Sequence, residues 1–509
     1  MNKAALLCLL LACFPVLAAA QSANLGYASF ITNNNDSRYF SNSTLTGSNI
    51  GELVSAWNIS SNSTTSTPMV LDGNVYFTDW NGFVYSANIA DGAVNWKTGL
   101  GSTISSTPAV ANGMVYVGMG PFGLTRVYAL SQANGSVIWN TSINTSGHTI
   151  WSSPILYNGM IFIGTGSNAN DTEDSSQING GVYALNAITG RIIWGFNTMI
   201  DGVGGATAWG SEAVDPKLNS IYLGTGNAYE KGANSLYAYS ILSLNASSGS
   251  LNWYYQVYNS FKIGGDSDFG STPNLFSVTV NGITYNAIGL GNKNGIYYIL
   301  NRVNGNFIEE FRIGSGGSYT GIIGLAGFMY KNGNASDPEL FIPAHYNATN
   351  ERGNGGVVEA IYPSNGTMAW RFYTPGNITG SVAIIPNALL VGDTFGNVYA
   401  LSLSSGTPLF HAGFWRGINA GIGVADGYIL VPTSFGTQGT PGLFAYSLPK
   451  ATSNASLSVS KSAGATPQPK NNSGIILAIE ILAVVAVIAF YFTRKPSGKP
   501  GKPSGKRSK

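Results

Sequence analysis

The stretch VYALNAITGRIIW, residues 182–194, decides the fold because its pattern recurs along the chain. Apolar side chains alternate at its start, Gly190 marks a turn, and Trp194 follows the glycine by four positions. Period-two alternation beside a glycine turn is typical of a β-hairpin. The same pattern returns at residues 84–96, 127–139, 244–253, 298–309, 358–370 and 398–410. Glu309 and Phe410 replace the tryptophan in two of these copies.

A second pair of strands precedes most copies of this hairpin. Its start is marked by a serine or threonine followed by proline, at Thr67-Pro68, Thr107-Pro108, Ser153-Pro154 and Thr272-Pro273. Four strands therefore recur at intervals of roughly 40 to 60 residues, which is typical of propeller blades. An eighth copy is split, because residues 442–448 supply one strand and residues 53–57 supply the outer strand, so that the ring closes without an open edge. We predict an all-β, eight-bladed β-propeller over residues 53–448.

The composition agrees with this fold and excludes one class of function. The 509 residues include 66 glycines, 12% aromatic and only 9% charged side chains, as expected for many short strands joined by glycine turns. The net charge is +2, but the excess positive charge lies in residues 494–509. The body therefore has no basic surface for binding nucleic acid.

The first 20 residues are predicted to be a secretory signal peptide. A positive start is followed by a short apolar run and by small residues up to Ala20, after which cleavage is expected. The residues before Cys13 also resemble a lipoprotein cleavage box, which is the alternative. Because Cys8 and Cys13 both lie in this segment, the mature chain is expected to have no disulfide, thiolate metal site or covalently attached haem. Residues 21–52 form an N-terminal extension.

The other end of the chain is predicted to anchor the protein in a membrane. Residues 449–474 have the Ser-, Asn- and Pro-rich composition of a flexible stalk. Residues 475–492 are apolar apart from Glu480, and residues 493–509 form a basic tail. This order predicts a single-pass helix in the cell membrane, with the tail inside and the propeller outside the cell. About fifteen Asn-X-Ser/Thr sites fit a glycosylated cell-surface protein.

The repeated tryptophans are predicted to fill the gaps between neighbouring blades. Each offers a large flat surface at one fixed position of its blade. They are Trp57, Trp96, Trp139, Trp194, Trp253 and Trp370. Trp209 lies outside this set, so the repeat does not account for it.

The repeated Ala-Leu-Asn-X-X-X-Gly-X-X-X-Trp pattern resembles the blade motif of the quinoprotein alcohol dehydrogenases. The resemblance covers roughly residues 53–448. It implies an eight-bladed propeller that holds pyrroloquinoline quinone and a Ca²⁺ or lanthanide ion near its axis. The blade motif alone indicates only the fold, since relatives with the same repeats include cofactor-free scaffolds.

Residues 204–227, GGATAWGSEAVDPKLNSIYLGTGN, carry a more specific resemblance. Trp209 is similar to the tryptophan on which the quinone lies in that family, and Asn227 is similar to its amide metal ligand. The Asp215-Pro216 turn stands between them at the matching place. An indole can support a flat tricyclic quinone, and an amide oxygen suits a hard cation.

Two later segments add to the resemblance. Residues 264–273, GGDSDFGSTP, resemble the segment with the family's catalytic aspartate, which implies Asp266 as base and metal ligand and Asp268 as the further acid of lanthanide-using members. The alternative is an acidic loop that caps a strand. Residues 291–302, GNKNGIYYILNR, resemble the run whose lysine contacts the quinone oxygens, which implies that role for Lys293. A solvated lysine in a hairpin turn is the alternative.

The chain also departs from the family. The family's metal-binding glutamate is expected in blade three, where residues 167–170 are Ser-Asn-Ala-Asn; the nearest acids are Asp171, Glu173 and Asp174. The adjacent-cysteine disulfide beside the quinone is absent from the mature chain. So is a Cys-X-X-Cys-His haem site, so electrons would leave to a separate acceptor.

The resemblance implies an extracellular dehydrogenase that oxidises an alcohol or a sugar by hydride transfer to the quinone. The alternative is a catalytically silent propeller that acts as a cell-surface binding or scaffold protein, which the missing glutamate favours. A hydrolase or lyase finds little support, because His148, His345 and His411 show no arrangement typical of a catalytic base, and we expect them in exposed loops.

Overall fold

The computed structural model describes most of a unit formed by Met1–Pro449, while a second unit, Lys450–Lys509, lies outside the described residues. The described residues are 27–28, 36–120, 125–143, 148–167, 178–200, 204–229, 236–257, 266–317, 320–330, 334–347, 354–436 and 438–449. The predicted signal peptide, stalk, membrane helix and basic tail therefore fall outside them. Within these ranges no helix is both long and apolar enough to cross a membrane.

The strands form eight antiparallel sheets, which confirms the eight-bladed propeller. Two strands of the N-terminal region are β1 (Tyr27–Ala28), which adds to blade 2, and β2 (Val54–Ser60), which belongs to blade 8. Blade 1 has β3 (Met69–Leu71), β4 (Asn74–Thr78), β5 (Phe83–Asn88) and β6 (Val94–Gly99). Blade 2 has β7 (Ala109–Ala111), β8 (Met114–Met119), β9 (Arg126–Ser131) and β10 (Val137–Ser142). Blade 3 has β11 (His148–Thr149), β12 (Ile155–Tyr157), β13 (Met160–Ser167), β14 (Gly181–Asn186) and β15 (Ile192–Asn197). Blade 4 has β16 (Ala213–Asp215), β17 (Ser220–Gly224), β18 (Ser240–Asn245) and β19 (Leu251–Gln256).

The second half of the ring repeats this four-strand order. Blade 5 has β20 (Asn274–Val280), β21 (Ile283–Gly291), β22 (Ile296–Asn301) and β23 (Phe307–Arg312). Blade 6 has β24 (Gly327–Tyr330), β25 (Pro338–Asn347), β26 (Asn354–Tyr362) and β27 (Thr367–Thr374). Blade 7 has β28 (Ala383–Ile385), β29 (Ala388–Gly392), β30 (Asn397–Ser402) and β31 (Pro408–Gly413). Blade 8 has β32 (Gly423–Ala425), β33 (Tyr428–Pro432) and β34 (Gly442–Ser447), and β2 completes it.

The ring closes as the sequence predicts. Strand β2 pairs antiparallel with β34, with Trp57 opposite Ala445 and Ile59 opposite Leu443. The outer edge of β34, which would otherwise be unpaired, is thereby covered. A one-turn 3-10 helix, Ile50–Glu52, leads into β2.

The tryptophan of each repeat docks on the next blade, which confirms the packing role predicted for this set. The Trp194 indole donates its Nε1 hydrogen to the Ala246 carbonyl at 3.0 Å. A Cβ atom on Gly249 would lie 2.5 Å from Cε3 of the Trp194 ring, so the ring rests on the backbone of that turn. Corresponding Nε1 donors are Trp57, Trp96, Trp139, Trp253 and Trp370. Glycine also suits the turn because φ at Gly249 is +72°.

The blade that ends in Glu309 uses a different aromatic residue. Phe311, two positions further along β23, is the side chain nearest to Gly366 in the turn of the next blade. The sequence pattern counts four positions from Gly305 to Glu309, where it recognised a departure but did not identify Phe311 as the replacement. The pairing of β22 with β23 contains a β-bulge between Ile299 and Leu300, as the equivalent strand pairs of other blades do.

The Ser/Thr-Pro signals correspond to side-chain hydrogen bonds around the propeller axis. The hydroxyl of Thr107 accepts a hydrogen bond from the backbone N–H of Thr67 at 2.9 Å, which links blades 1 and 2. In the same way, the backbone N–H of Thr107 donates to the Ser153 hydroxyl and that of Ser153 to the Ser211 hydroxyl. The backbone N–H of Gly421 donates to the Thr67 hydroxyl. The proline directly precedes the innermost strand, where its missing N–H removes no ladder bond.

The N-terminal extension packs against the propeller. The Asp36 carbonyl accepts a hydrogen bond from Asn274 at 2.7 Å, and the Arg38 Nε donates to Val382 at 3.1 Å. The Arg38 side chain is fully buried, and burial lowers its pKa to about 10 although Asp36 acts in the opposite direction. Residues 36–52 therefore belong to the propeller core.

The expectation that the histidines lie in exposed loops is wrong, because all three lie in strands: His148 in β11, His345 in β25 and His411 in β31. His345 is 7% exposed and lies within the ten-residue strand β25. Burial lowers the pKa of its imidazole, which favours the neutral form. His411 lies in β31, where its ring is exposed and stacks on Tyr399.

Candidate functional site

The predicted site residues all lie on one face of the ring. In a four-stranded antiparallel blade, the loop before the innermost strand and the loop between the second and third strands emerge on the same side. Trp209 precedes β16 and Asn227 follows β17 in blade 4. Asp266 and Asp268 precede β20, and Lys293 follows β21, in blade 5. We call this side the site face.

The Trp209 indole is held against a glycine of the next blade. A Cβ atom on Gly270 would lie 1.8 Å from Cη2 of Trp209, so that the ring lies directly on the Gly270 backbone. The neighbouring Gly210 is equally confined, since its Cβ would lie 2.8 Å from the Ser271 carbonyl oxygen. Two glycines therefore allow the close approach of blades 4 and 5 that places this ring.

Asn227 is bound to both acids of the following blade. Its side-chain Nδ2 donates to Asp266 Oδ1 at 3.0 Å, and its backbone N–H donates to Asp268 Oδ1 at 2.6 Å. All three residues are less than 10% exposed. Gly226 leaves room for this contact, because a Cβ there would lie 3.0 Å from Asp268 Oδ1.

Lys293 neutralises the same pair of carboxylates. Its Nζ lies 3.0 Å from Asp266 Oδ2 and 2.8 Å from Asp268 Oδ2. Burial would lower the pKa of Lys293, but the two carboxylates outweigh burial and raise it above its ordinary value. The ammonium also lies 5.0 Å from the centre of the Trp209 ring, within reach of a cation–π interaction.

The structure thus brings together all five residues that the sequence resemblance singled out. The Asp215-Pro216 turn is connected to this group as well, since Asp215 Oδ2 lies 3.0 Å from Nε of Arg302, at the end of the Lys293 segment. Asp171, Glu173 and Asp174, the nearest acids to the expected glutamate, lie outside the described residues. The roles of the five residues stay predictions.

The donor set partly fits a hard cation such as Ca²⁺ or a lanthanide. Two carboxylates and the Asn227 amide group meet here, and carboxylate and amide oxygens are ligand types that such ions prefer. Ca²⁺ takes six to eight oxygen ligands, however, and no cluster of three or more His, Cys, Asp or Glu side chains occurs among the described residues. A bound cation would replace Lys293 as the partner of the two carboxylates.

A flat cofactor also fits the surroundings of Trp209. The indole lines a cavity of about 410 Å³ on the propeller axis, to which all eight blades contribute. That volume lies within the range of small-molecule sites. Lys293 provides a positive charge beside the same ring.

Three aromatic residues of this cavity were not predicted. Trp80, Trp151 and Phe435 line it together with Trp209. The sequence contained a signal for two of them, because Trp80 and Trp151 also fall outside the tryptophan set of the blade repeat. Gly270 was quoted in its segment, but nothing in the sequence alone showed that it contacts Trp209.

Comparisons with known proteins agree with this architecture. Residues 143–312 match the family described as the glucose/ethanol/alcohol dehydrogenase β-propeller domain, and residues 43–198 match the family of the outer membrane protein assembly factor BamB. The quinohemoprotein alcohol dehydrogenase ADH-IIG of Pseudomonas putida is 27% identical over 325 residues, covering 54% of this chain and 44% of that protein. The chain therefore spans about half the length of the curated relatives it matches.

Solved structures support the fold in the same way. The quinohemoprotein alcohol dehydrogenase of Comamonas testosteroni superimposes with a TM-score of 0.72 at 20% identity, covering 85% of this chain and 82% of that one. A europium-containing methanol dehydrogenase superimposes with a TM-score of 0.70 at 16% identity, covering 83% of this chain and 98% of that one.

Proposed function

The chain belongs to the quinoprotein alcohol dehydrogenase-like family of eight-bladed propellers, and we propose that it oxidises an alcohol or a sugar with pyrroloquinoline quinone. The observation that carries the proposal is the contact of Asn227, Asp266, Asp268 and Lys293 beside Trp209. If these were only solvated loop residues, nothing would require their side chains to contact one another. Here they come from two blades, and Asn227, Asp266 and Asp268 are buried.

Each residue has a task that follows from its chemistry. When bound, the quinone supplies the hydride acceptor and the hard cation supplies a Lewis acid. Asn227, Asp266 and Asp268 would hold the Ca²⁺ or lanthanide ion, Trp209 would support the quinone ring, and Lys293 would stabilise negative charge on its oxygens. Asp266, whose Oδ1 accepts a hydrogen bond from Asn227 Nδ2, would accept the proton of the substrate hydroxyl.

The sequence also supports a proposal for the electron acceptor and for the location of the protein. The mature chain has no cysteine for a covalent haem, so a separate electron acceptor would reoxidise the quinone. The predicted signal peptide and the apolar residues 475–492 support a single-pass membrane protein whose propeller faces the outside of the cell.

A catalytically silent cell-surface scaffold is the second candidate. It is favoured by the Lys293 ammonium, which already neutralises Asp266 and Asp268 without a metal. The sequence also favours it, since residues 167–170 contain no glutamate at the position expected for the metal ligand in blade 3.

Reconstitution distinguishes the two candidates. The full chain is mixed with pyrroloquinoline quinone and Ca²⁺ or La³⁺, and quinone absorbance and alcohol-dependent dye reduction are recorded. We expect Asp266→Asn to lower kcat at least about a hundredfold, because general-base catalysis is typically worth that much. Asp426→Asn is the matched control, since Asp426 is exposed in the turn between β32 and β33. If neither metal supports quinone binding or dye reduction, the protein is not this dehydrogenase.

A further inference from the structure

One tight turn recurs on the site face, between the second and third strands of blades 1, 5 and 7. Its first residue is Asp79 in blade 1, Asn292 in blade 5 and Asp393 in blade 7. In each turn the backbone N–H of this residue donates to the carbonyl four positions later, at 2.9 to 3.0 Å. A glycine three positions after it has φ between +81° and +89°. Of the three turns, which share this backbone, only that of blade 5 begins with an amide side chain.

In blades 1 and 7 the first side chain accepts a hydrogen bond from the loop that precedes the innermost strand. Asp79 Oδ2 accepts the backbone N–H of Asn62 at 3.2 Å. Asp393 Oδ2 accepts the backbone N–H of Gly376 at 3.3 Å. A carboxylate suits this contact, because an ionised carboxylate has only acceptors.

In blade 5 the direction of this hydrogen bond is reversed. The Asn292 side chain donates from Nδ2 to the carbonyl oxygen of Ser267 at 2.7 Å. Ser267 is the counterpart of Asn62, since in both blades the N–H of the next turn residue donates to the carbonyl of the next loop residue. In blade 5 this bond runs from Lys293 to Asp268 at 2.9 Å. The loop of blade 5 therefore presents a carbonyl where the other two present an N–H, and it needs a donor that asparagine supplies and ionised aspartate does not.

The reversed bond orients the segment that carries the two acids. The N–H of the peptide group whose carbonyl binds Asn292 belongs to Asp268, and it donates to Asp266 Oδ1 at 3.3 Å. The N–H of Ser267 donates to Asn227 Oδ1 at 3.4 Å. Asn292 and Ser267 are both 0% exposed, and a hydrogen bond is stronger in the interior than in water.

We propose that Asn292 is a positioning residue, which fixes the Ser267 carbonyl and thereby holds both acids of the segment against Lys293. A hard cation in place of Lys293 would be held by the same two acids. The other hydrogen bond of the Asn292 side chain closes the turn, where Oδ1 accepts the Asn294 N–H at 2.8 Å. Asn292 therefore acts on the acids through Ser267. Its role toward a cation rests on the proposed function, whereas its role toward Lys293 does not.

A double-mutant cycle on the full chain without metal or quinone tests the role toward Lys293. Asn292→Ser keeps a hydroxyl oxygen for the turn and is too short to reach the Ser267 carbonyl. Asp268→Asn removes the charge that pairs with Lys293. Because Asn292→Ser should already weaken this ion pair, the two changes together should lower the unfolding free energy by less than the sum of the separate changes, as measured by urea titration. Additive losses would overturn the proposal.

The equivalent turn of blade 7 supplies the matched control. Asp393→Ser removes the corresponding side chain there, and its loss of stability should add to that of Asp268→Asn, because the two positions lie in different blades. Asn292→Asp is a second variant, since aspartate forms the same turn in blades 1 and 7. We expect it to destabilise the protein, because its carboxylate places an acceptor against the Ser267 carbonyl. A stability equal to that of the unsubstituted protein would mean that Asn292 only closes the turn.

Terbium luminescence tests the role toward a cation. Tb³⁺ is titrated into the quinone-free full chain, and luminescence lifetimes in H₂O and D₂O give the number of water molecules on the ion. We expect Asn292→Ser to weaken Tb³⁺ binding at least about tenfold and to add about one bound water, as is typical when a group that orients a metal ligand is lost. Asp393→Ser should change neither.

The two measurements separate the proposal from the dehydrogenase. Unchanged Tb³⁺ affinity and hydration in Asn292→Ser would overturn the role toward a cation. If the unsubstituted protein binds no Tb³⁺, the proposed metal site is refuted, and the double-mutant cycle alone decides whether Asn292 positions the acids against Lys293.

Discussion

At the scale of single residues, Gly270 determines where the Trp209 ring can lie. Gly270→Ala would place a Cβ atom 1.8 Å from the indole, so the ring or the backbone must move. We expect a loss of about 2 kcal/mol in unfolding free energy, which is typical of overpacking, together with weaker quinone binding. Gly413→Ala is the control, because its Cβ would meet nothing within 4 Å. Adding Trp209→Phe to Gly270→Ala should recover stability, and failure to recover it would show that the contact is not the cause.

Glu212, three positions after Trp209, makes stability depend on pH. It is fully buried, and neither carboxyl oxygen has a hydrogen-bond partner among the described residues. Burial raises the pKa of Glu212 to about 8, and its own backbone N–H acts in the opposite direction. The folded protein therefore binds this proton more tightly than the unfolded chain does, and its stability falls as pH rises from about 4.5 to 8.

Glu212→Gln should remove this dependence, because glutamine does not titrate. Relative to the unsubstituted protein, the variant should gain stability with rising pH, up to roughly 5 kcal/mol at pH 8 from the 1.36 kcal/mol per pKa unit. Denaturant unfolding between pH 5 and pH 8 measures the difference. The exposed Asp426→Asn should show no such gain. Parallel pH profiles for the protein and for Glu212→Gln would mean that the carboxyl is ionised or solvated in the fold.

At the scale of elements, the docked tryptophan is the contact that joins one blade to the next. Trp194→Ala should cost about 3 kcal/mol, since the ring packs on Gly249 and donates to Ala246. Trp194→Phe keeps most of the packing and loses the hydrogen bond, so about 1 kcal/mol is expected. Urea titration provides both values. An unchanged midpoint for Trp194→Ala would contradict the docking role.

The same element explains why the fold was predictable from the sequence. The alternating strand, the turn glycine and the terminal tryptophan lie within thirteen consecutive residues, as in 182–194. The pattern can therefore be recognised without knowledge of contacts between distant residues. Glu309 and Phe410 depart from this pattern, and in the fifth blade it is Phe311 that contacts the turn of the next blade. The position of His345 was mispredicted for a related reason, because the length of β25 has no local sequence signal.

The candidate site was predictable only where a resemblance identified single residues. Asn227 and Asp266 are 39 positions apart, and only the ring geometry of two blades brings them to 3.0 Å. Trp80, Trp151 and Phe435 come from three blades, and no spacing in the sequence joins them. The packing of Gly270 on Trp209 is likewise a contact between blades.

At the scale of the whole molecule, stability depends on closing the ring with the N-terminal region. Strand β2 covers the edge of β34, and residues 36–38 are bound to blades 5 to 7 through Asn274, Phe328 and Val382. A chain that begins at residue 61 would leave the β34 edge unpaired, and an exposed strand edge promotes association. We expect this truncated chain to elute as aggregates and to unfold at a markedly lower temperature than a chain that begins at residue 27. Light scattering and calorimetry would decide the matter, since a truncated chain that stays monomeric with an unchanged Tm would mean that the other seven blades hold the ring without this closure.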